Sequence, residues 1–221
     1  MENPVKSWSY SAWSTYDQCP AKYKYEKIDK LPQPDNPHFI KGRKWHKAAE
    51  DYFVGTLHDV PPELSKFATQ AELVRDMDPF VEQKWGFKRD WSVTRWNDWS
   101  GCWLRGTCDV GVVYPDNAAT VIDHKTGSYY KTNEDQVELF ALLTMQHFPQ
   151  LKEVETRLWY LESGDEVLAG EFTAADKPKL KAKWEEKVRP MFTDTNFASK
   201  PNKFCRNCHF RKSNGGPCSH G

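Results

Sequence analysis

Two carboxylates and a lysine lie close together in the middle of the sequence, in a stretch whose pattern predicts a β-hairpin. Asp109 falls on the first predicted strand, and Asp123 and Lys125 fall on the second. Because residues i and i+2 of a strand point to the same face, Asp123 and Lys125 would project together, and a carboxylate of the neighbouring strand could join them. Two carboxylates suit a hard cation such as Mg²⁺, and the ammonium could stabilise charge on a phosphate. The alternative is an ion pair across a surface hairpin.

Three cysteines near the C-terminus form a second group that could bind a metal. Cys205 and Cys208 have the C-x-x-C spacing that lets two thiolates hold one metal ion or one cluster iron from a tight turn, and Cys218 adds a third thiolate. A fourth ligand is therefore needed. His209 or His220 would complete a local zinc site.

The elements that hold these residues are predicted from the spacing of apolar residues. A helix is expected across about Phe39–Phe53, and from Phe80 the period changes to that of strands. Successive strands are then expected in the segments FVEQKWGF, WSVTRW, WLRGTCDVGVVY and ATVIDHKTG.

Further helices and strands are predicted after the hairpin. A helix is expected over 132–147, with Thr132 as its N-cap. A second pair of strands, ETRLWYL and EVLAGEFT, precedes a charged helix that Thr173 would cap and Pro190 would limit. Together these elements indicate an α/β (α+β) domain with a largely antiparallel meander.

The composition excludes several classes of protein. A chain of 221 residues can bury a substantial core without disulfides. Aromatic residues make up 14% of it, including 10 Trp, which is unlike a disordered chain. The 31 basic and 31 acidic residues cancel, so a globally basic coat for nucleic acid is excluded, although a local basic surface is not. No uncharged run reaches the ~20 residues of a membrane span and no signal peptide is recognisable, so a cytoplasmic protein without a membrane partner is expected.

Four short motifs follow one another along the chain. They are G-x-x-x-H at Gly42–His46, G-x-x-D at Gly106–Asp109, D-x-K-T-G at Asp123–Gly127, and Gln136 with Phe140. In this order, on a helix, two strands and a helix, they resemble the motifs of PD-(D/E)XK nucleases of the RecB-like type, close to the CRISPR-associated RecB-like exonucleases. The resemblance covers residues 9–218. It implies a restriction-endonuclease-like core, with a mixed central sheet flanked by helices.

The resemblance implies a role for individual residues. His46, Asp109 and Asp123 match the family's metal ligands, and the main-chain carbonyl of His124 matches a further one. Lys125 matches the catalytic lysine.

The last motif and the residues around the histidine imply contacts with DNA. Gln136 matches a glutamine that helps to place DNA or the active-site lysine. Phe140 stands where the family has tyrosine, so no hydroxyl is available, although the ring can pack or stack. Arg43, Lys44 and Lys47, which lie beside the histidine motif, would attract a phosphate backbone.

The resemblance also suggests a fourth ligand for the cysteine group. RecB-like exonucleases with an iron–sulfur cluster have one cysteine before the histidine motif and three near the C-terminus, and Cys19 fits the first position. The expected site is a four-iron four-sulfur (4Fe–4S) cluster on the four cysteines Cys19, Cys205, Cys208 and Cys218, with Zn²⁺ as the alternative. The chain would then be a single nuclease domain over 1–221, in which 1–37 and 199–221 form the cluster-bound helix and tail and 38–198 form the core.

The function implied is that of a DNA exonuclease that hydrolyses phosphodiester bonds with Mg²⁺ or Mn²⁺. Its substrate would be DNA that is single-stranded or has free ends, in recombination, repair or replication, in the cytoplasm of its own cell or, if phage-encoded, of the host. The rival hypothesis is a cluster- or zinc-stabilised DNA-binding module with weak or endonucleolytic activity. A homo-oligomer and recombination or helicase partners are both left open. No Walker P-loop is present, so an ATP-driven motor is not expected.

Overall fold

A computed structural model describes residues 3–34, 36–129 and 132–220, apart from the side chain of Thr132. The chain divides into two compact units. The larger unit is Asn36–Ala182, and the smaller unit combines Met1–Asp35 with Lys183–Gly221. The larger unit contains the central hairpin, and the smaller unit contains both ends of the chain.

A six-stranded mixed sheet forms the centre of the larger unit. Its strands are β1 (Phe80–Phe87), β2 (Val93–Thr94), β3 (Leu104–Val113), β4 (Ala118–Lys125), β5 (Glu153–Tyr160) and β6 (Asp165–Thr173). Their order is β2-β1-β3-β4-β5-β6, and β4 pairs with β5 in parallel while the other neighbours are antiparallel. A parallel pair needs a crossover, and the helix between β4 and β5 supplies it.

Helices flank this sheet. They are α3 (Pro37–Phe53), α4 (Ala68–Asp76), which follows a 3₁₀ turn at Pro62–Phe67, and α5 (Thr132–His147). On β5, Leu158 packs with Val137 of α5, whereas its neighbour Trp159 packs with Phe67 of the 3₁₀ turn. Successive strand residues point to opposite faces, so α5 covers one face and α3 with α4 the other. The expected mixed sheet flanked by helices is confirmed.

The smaller unit joins the two ends of the chain through aromatic packing. It contains α1 (Tyr10–Gln18), α2 (Pro20–Tyr23), a π-helical turn at Lys24–Ile28, the second half of α6 (Lys177–Thr193) and 3₁₀ turns at Lys203–Asn207 and Lys212–Asn214. The ring of Trp184 on α6 lies 5.7 Å from Trp8 and 5.1 Å from Trp13, measured between centroids. Such aromatic pairs add to the burial of apolar area.

Two predictions about these elements are wrong. Pro190 lies inside α6, which continues to Thr193. A proline removes the bond to the carbonyl four residues earlier, but Glu186 is exposed, so water can replace the lost donor. In WSVTRW only Val93 and Thr94 are strand, because side chains bond the backbone and the segment turns on either side.

Thr173 is an N-cap, as predicted. It forms a capping box with Asp176 at the start of the short 3₁₀ turn that precedes α6. The N-cap predicted at Thr132 depends on a side chain outside the described residues. Among the residues described, no helix is long and apolar enough to cross a membrane.

Candidate active site

The candidate site forms where strands β3 and β4 part. The hydrogen-bonded ladder between them ends at the pair Val110 and Ile122. Asp109 and Asp123, the next residue of each strand, lie beyond this last pair. The backbone N–H of His124 donates to the side chain of Asp109 instead, at 2.8 Å from Oδ2. The open end of the hairpin therefore carries two carboxylates.

Helix α3 adds a third polar group, the imidazole of His46. Its Nδ1 lies 3.4 Å from Oδ2 of Asp109, and Nδ1 of His124 lies 3.9 Å from the same oxygen. One ligand atom from each of these three residues lies within 4.8 Å of the other two. Imidazole and carboxylate donors at this spacing fit a divalent cation.

Asp123 is held by two residues on the α5 side of the sheet. Nζ of Lys125 lies 2.6 Å from Oδ2 of Asp123, and it donates a hydrogen bond to Oε1 of Gln136 at 2.7 Å. The amide Nε2 of Gln136 donates in turn to Oδ1 of Asp123 at 3.0 Å. Because Asp123 is only 2% exposed, this triangle fixes a buried charge pair in one geometry. The sequence prediction that Asp123 and Lys125 project together agrees with this arrangement.

The electrostatics of the histidine cluster separate its members. Burial would lower the pKa of His46, but the hydrogen bond and the charge of Asp109 outweigh it and raise this pKa to about 9. Burial lowers the pKa of His124 to about 4. Burial would raise the pKa of Asp109, yet the hydrogen bond and positive charge of His46 keep it below its usual value. One imidazole is thus charged and the other neutral near pH 7.

The second carboxylate shifts in the opposite direction. Burial raises the pKa of Asp123 to about 6, aided by the negative charge of Asp109 and opposed by Lys125. Two neighbouring carboxylates whose pKa values move apart are typical of functional sites, because each is placed in a different environment.

A third acidic residue lies beside this pair. In the register of β1 and β3, Val81 pairs with Val110 and Gln83 pairs with Cys108, so Glu82 stands opposite Asp109. Burial and the charge of Asp109 raise the pKa of Glu82 to about 7. Its backbone φ of 47° lies in the left-handed region, which a non-glycine residue adopts at a cost. Glu82 also resembles a recurrent acidic position of the RecB-like family, a likeness that the sequence alone does not separate from an ordinary surface glutamate.

The remaining residues predicted to contact DNA differ in accessibility. Arg43, Lys44 and Lys47 are exposed on α3. Lys44 Nζ lies 3.3 Å from Glu63, and Lys47 Nζ contacts two acidic residues of its own helix at 3.0 Å. Exposed ion pairs of this kind are weak, so they do not prevent a contact with phosphate.

Phe140 is placed differently. It is 4% exposed, and its ring lies close to Gly106 of β3. Of the two roles expected for this ring, the structure therefore shows packing, and in this structure a nucleobase has no ring face to stack on.

The imidazole of His124 was missed by sequence reasoning, which assigned this residue only a main-chain carbonyl. Strand alternation correctly turns its side chain away from Asp123, and it stacks on Phe53 with centroids 5.9 Å apart. The signal that could have found it is the neighbouring helix, because α3 delivers His46 to that same face.

The four cysteines expected to share a cluster line one pocket of about 190 Å³ in the smaller unit. Backbone N–H groups point at two of the sulfurs, with Lys200 N at 3.4 Å from Sγ of Cys19 and Asn202 N at 3.3 Å from Sγ of Cys205. Lys22 and Arg211 also line this pocket. Donors and cations around sulfur stabilise thiolate ligands.

The long gap between Cys208 and Cys218 is folded back on itself. A Cβ on Gly216 would lie 2.3 Å from the backbone of Phe210, so only glycine allows this approach. The N–H of Cys218 then donates to the carbonyl of Phe210 at 2.9 Å. The third cysteine of the tail thereby returns to the pocket. Cys102 and Cys108 are buried in the larger unit and belong to neither site.

A family profile and one solved structure agree with this architecture. A solved structure, that of SSO0001, superposes with a TM-score of 0.52 at 14% identity, over 93% of this chain and 84% of the other. A protein of Eubacterium rectale proposed to be an exonuclease gives a TM-score of 0.46 at 10% identity, over 92% and 93% of the two chains. No curated protein sequence matches. The profile of the PD-(D/E)XK nuclease superfamily matches residues 7–213, nearly the whole chain. With the fold and the paired carboxylates and lysine at the end of the hairpin, this match shows that the chain belongs to the PD-(D/E)XK nuclease superfamily.

Proposed function

We propose that this nuclease is a divalent-metal-dependent DNA exonuclease of the RecB-like type, acting in DNA recombination, repair or replication. The observation that carries the proposal is the meeting of His46 and Asp109 with the Asp123–Lys125–Gln136 triangle at the open end of one hairpin. The order of the four motifs supports the RecB-like assignment.

The expected metal ligands are donors that a divalent cation accepts, and two of them, His46 and Asp109, belong with His124 to the cluster whose ligand atoms lie within 4.8 Å of one another. His46, Asp109, Asp123 and the main-chain carbonyl of His124 would hold Mg²⁺ or Mn²⁺, since carboxylate and carbonyl oxygens suit both metals. Such a cation supplies Lewis-acid stabilisation of a phosphoryl oxygen and activation of water. The protonated state of His46 near pH 7 means that binding of the cation releases a proton from this imidazole.

Lys125 and Gln136 position and stabilise rather than bind metal. The ammonium of Lys125 lies at the edge of the carboxylate pair, where it neutralises charge that develops on the phosphate in the transition state. The Gln136 side chain accepts from Lys125 and donates to Asp123, so it fixes the distance between the two groups. Because the ammonium of Lys125 is already in position, the protein does not have to reorganise around it during the reaction.

The experiment that tests this function is a time course on end-labelled single- and double-stranded DNA, with Mg²⁺, with Mn²⁺ and with EDTA. Cleavage that requires the cation and releases label from ends at early times is expected. The variant to compare with wild type is Lys125→Ala. Its matched control is Lys152→Ala, a change at an exposed lysine of the same unit. Full cleavage in EDTA would contradict the proposed mechanism.

Covalently closed circles distinguish the two modes of attack. An exonuclease degrades linear strands and leaves circular single-stranded DNA intact, whereas the endonucleolytic alternative converts circles to linear molecules. Metal-dependent linearisation of circles would retain the nuclease and replace the exonuclease assignment.

A 4Fe–4S cluster on Cys19, Cys205, Cys208 and Cys218 is the second part of the proposal. All four cysteines line one pocket, with backbone donors directed at two sulfurs. Four cysteine thiolates are the ligand set of a 4Fe–4S cluster, whereas the zinc alternative would take its fourth ligand from His209 or His220 of the tail.

A further inference from the structure

The segment between β1 and β3 displays a tryptophan that the nuclease site does not use. This segment and the strand ends beside it, residues 83–107, contain five of the ten tryptophans. Trp85, Trp91 and Trp103 are buried, and the last two pack edge to face with centroids 5.4 Å apart. Trp99 is instead 80% exposed. Three tryptophans thus anchor the segment, Trp96 is half-buried, and Trp99 faces solvent.

The loop that carries Trp99 is ordered by the side chain of Asp98. Its carboxylate accepts hydrogen bonds from the hydroxyls of Thr94 and Ser100 and from the backbone N–H of Gly101, each at 2.9 Å. These bonds lower the pKa of Asp98 to about 2. The exposed ring is therefore presented by a pre-formed turn, which keeps the entropy cost of binding through it low.

A cation supports the ring of Trp99. The guanidinium of Arg105 lies 4.9 Å from the ring centroid, and its Nε donates to the carbonyl of Trp96 at 3.0 Å. This cation–π contact fixes the orientation of the indole. Because the ring stays 80% exposed, it has open surface for a further planar group.

Arg105 lies on β3, the strand that also carries Asp109 of the candidate active site. Arg105, Thr107 and Asp109 alternate along β3 with buried residues, so they share one face of the strand. Asp109 is four residues further along the strand than Arg105, a distance of roughly 13 Å. On β1, the exposed Lys84 pairs with Thr107 between them. A lane of positive and polar groups thus leads from the carboxylates to Trp99.

We propose that Trp99 and Arg105 form a stacking platform for an unpaired nucleobase of the DNA strand whose backbone occupies the candidate active site. This inference rests on the proposed nuclease function and deepens it. Residues 83–107 carry five Lys or Arg and only two Asp, and both aspartates are engaged in local turns. This charge complements a phosphate backbone. Stacking on an aromatic ring with an arginine beside it holds a base without regard to its sequence.

The test measures binding of a dye-labelled oligothymidylate in EDTA, where the proposed reaction is off, at one fixed salt concentration. Trp99→Ala should weaken binding about tenfold, the size of one lost base–aromatic stack. Trp99→Phe should restore most of the affinity because a ring is kept, whereas Trp99→Leu should not. Leu168→Ala removes a similarly exposed apolar side chain on β6, 54% exposed, and should have no effect.

An abasic strand separates stacking from general attraction. On a strand of the same length that lacks bases, wild type and Trp99→Ala should bind equally. Equal binding of the two proteins to oligothymidylate would overturn the inference. It would also be overturned if Trp99→Ala lost as much affinity for the abasic strand as for oligothymidylate. If wild type neither binds nor cleaves DNA, the proposed function fails as well. If wild type cleaves DNA and the Trp99 variants bind oligothymidylate as tightly as wild type, only the stacking platform is disproved and the proposed nuclease function stands.

Discussion

Lys125 is the ionic partner of Asp123, a carboxylate that is almost fully buried. Removing this ammonium takes charge stabilisation away from the phosphate and leaves the carboxylate set in place. We expect Lys125→Ala to lower the single-turnover cleavage rate about 10²–10³-fold. Affinity for DNA, measured in EDTA, should fall much less. Cleavage by Lys125→Ala at the wild-type rate would leave this lysine only a structural role, as the ion-pair partner of Asp123.

A second prediction at the scale of single residues concerns His46. Because its pKa is raised from 6.5 to about 9, its pairing with Asp109 stabilises the folded metal-free protein fully below pH 6.5. This stabilisation is lost as the pH rises through about 9. The free energy of unfolding in EDTA, compared between wild type and His46→Ala, should show a difference that shrinks over this range. Histidine NMR signals should give one titration near 9 and another, from His124, near 4.

A difference between wild type and His46→Ala that does not change from pH 6.5 to 9 would contradict the ion pair between His46 and Asp109. His38, which is exposed on the same helix, provides the control as His38→Ala. This variant removes an imidazole from the same helix and keeps the ion pair between His46 and Asp109.

Part of this site could be predicted from the sequence, for a local reason. The i, i+2 spacing alone predicts that Asp123 and Lys125 share a face. The imidazole of His124 becomes visible only when α3 is placed beside the hairpin, and the sequence alone cannot separate Glu82 from an ordinary surface glutamate. Spacing along one strand carries no information on which side chains a distant element brings to it.

At the scale of elements, the glycine of G-x-x-D has a packing role. A Cβ on Gly106 of β3 would lie 2.4 Å from Cδ1 of Leu143 on α5. The side chain of Leu143 is fully buried. Gly106→Ala should therefore destabilise the protein by about 1–3 kcal/mol through overpacking. Gly127→Ala is the matched control, since no atom lies within 4 Å of the added Cβ. Urea unfolding of the two variants gives the comparison.

A double-mutant cycle identifies the cause. If the clash with Leu143 is responsible, the smaller side chain of Leu143→Val should recover part of the stability lost in Gly106→Ala. Strictly additive losses would instead place the strain in the backbone of β3. The cycle thus tests whether this glycine sets the distance between the sheet and the helix that carries Gln136.

Elements with a strong period were predictable, and the failures have local causes. β1, β3, β4 and α5 agree with the segments expected from apolar spacing. The strand expected in WSVTRW is reduced to Val93–Thr94 because Asp90 and Asp98 bond nearby backbone and hydroxyl groups. Competition of this kind between side chain and ladder is invisible to a pattern of hydrophobic residues.

At the scale of the whole chain, the two ends belong to one compact unit although the sequence separates them widely. The side chain of Asn202 donates to the carbonyl of Gln18 at 3.0 Å, and Nζ of Lys200 donates to the carbonyl of Asp17 at 2.6 Å. Asp17 and Gln18 immediately precede Cys19, and Lys200 and Asn202 lie five and three residues before Cys205. Contacts of such separation carry a large loop-closure cost, which a bound cluster would help to offset.

The last prediction follows from this closure. Anaerobically purified protein should be brown and hold about four iron atoms per chain. Cys19→Ala should lose the iron, the colour and much of the stability of the smaller unit, because metal binding and folding are coupled. Cys102→Ala, a change at a buried cysteine outside the pocket, should keep all the iron. One zinc per chain that Cys19→Ala leaves in place would replace the cluster with a local site on the tail. If Cys19→Ala loses the iron and Cys102→Ala keeps it, Cys19 must share its metal with the cysteines at the other end of the chain.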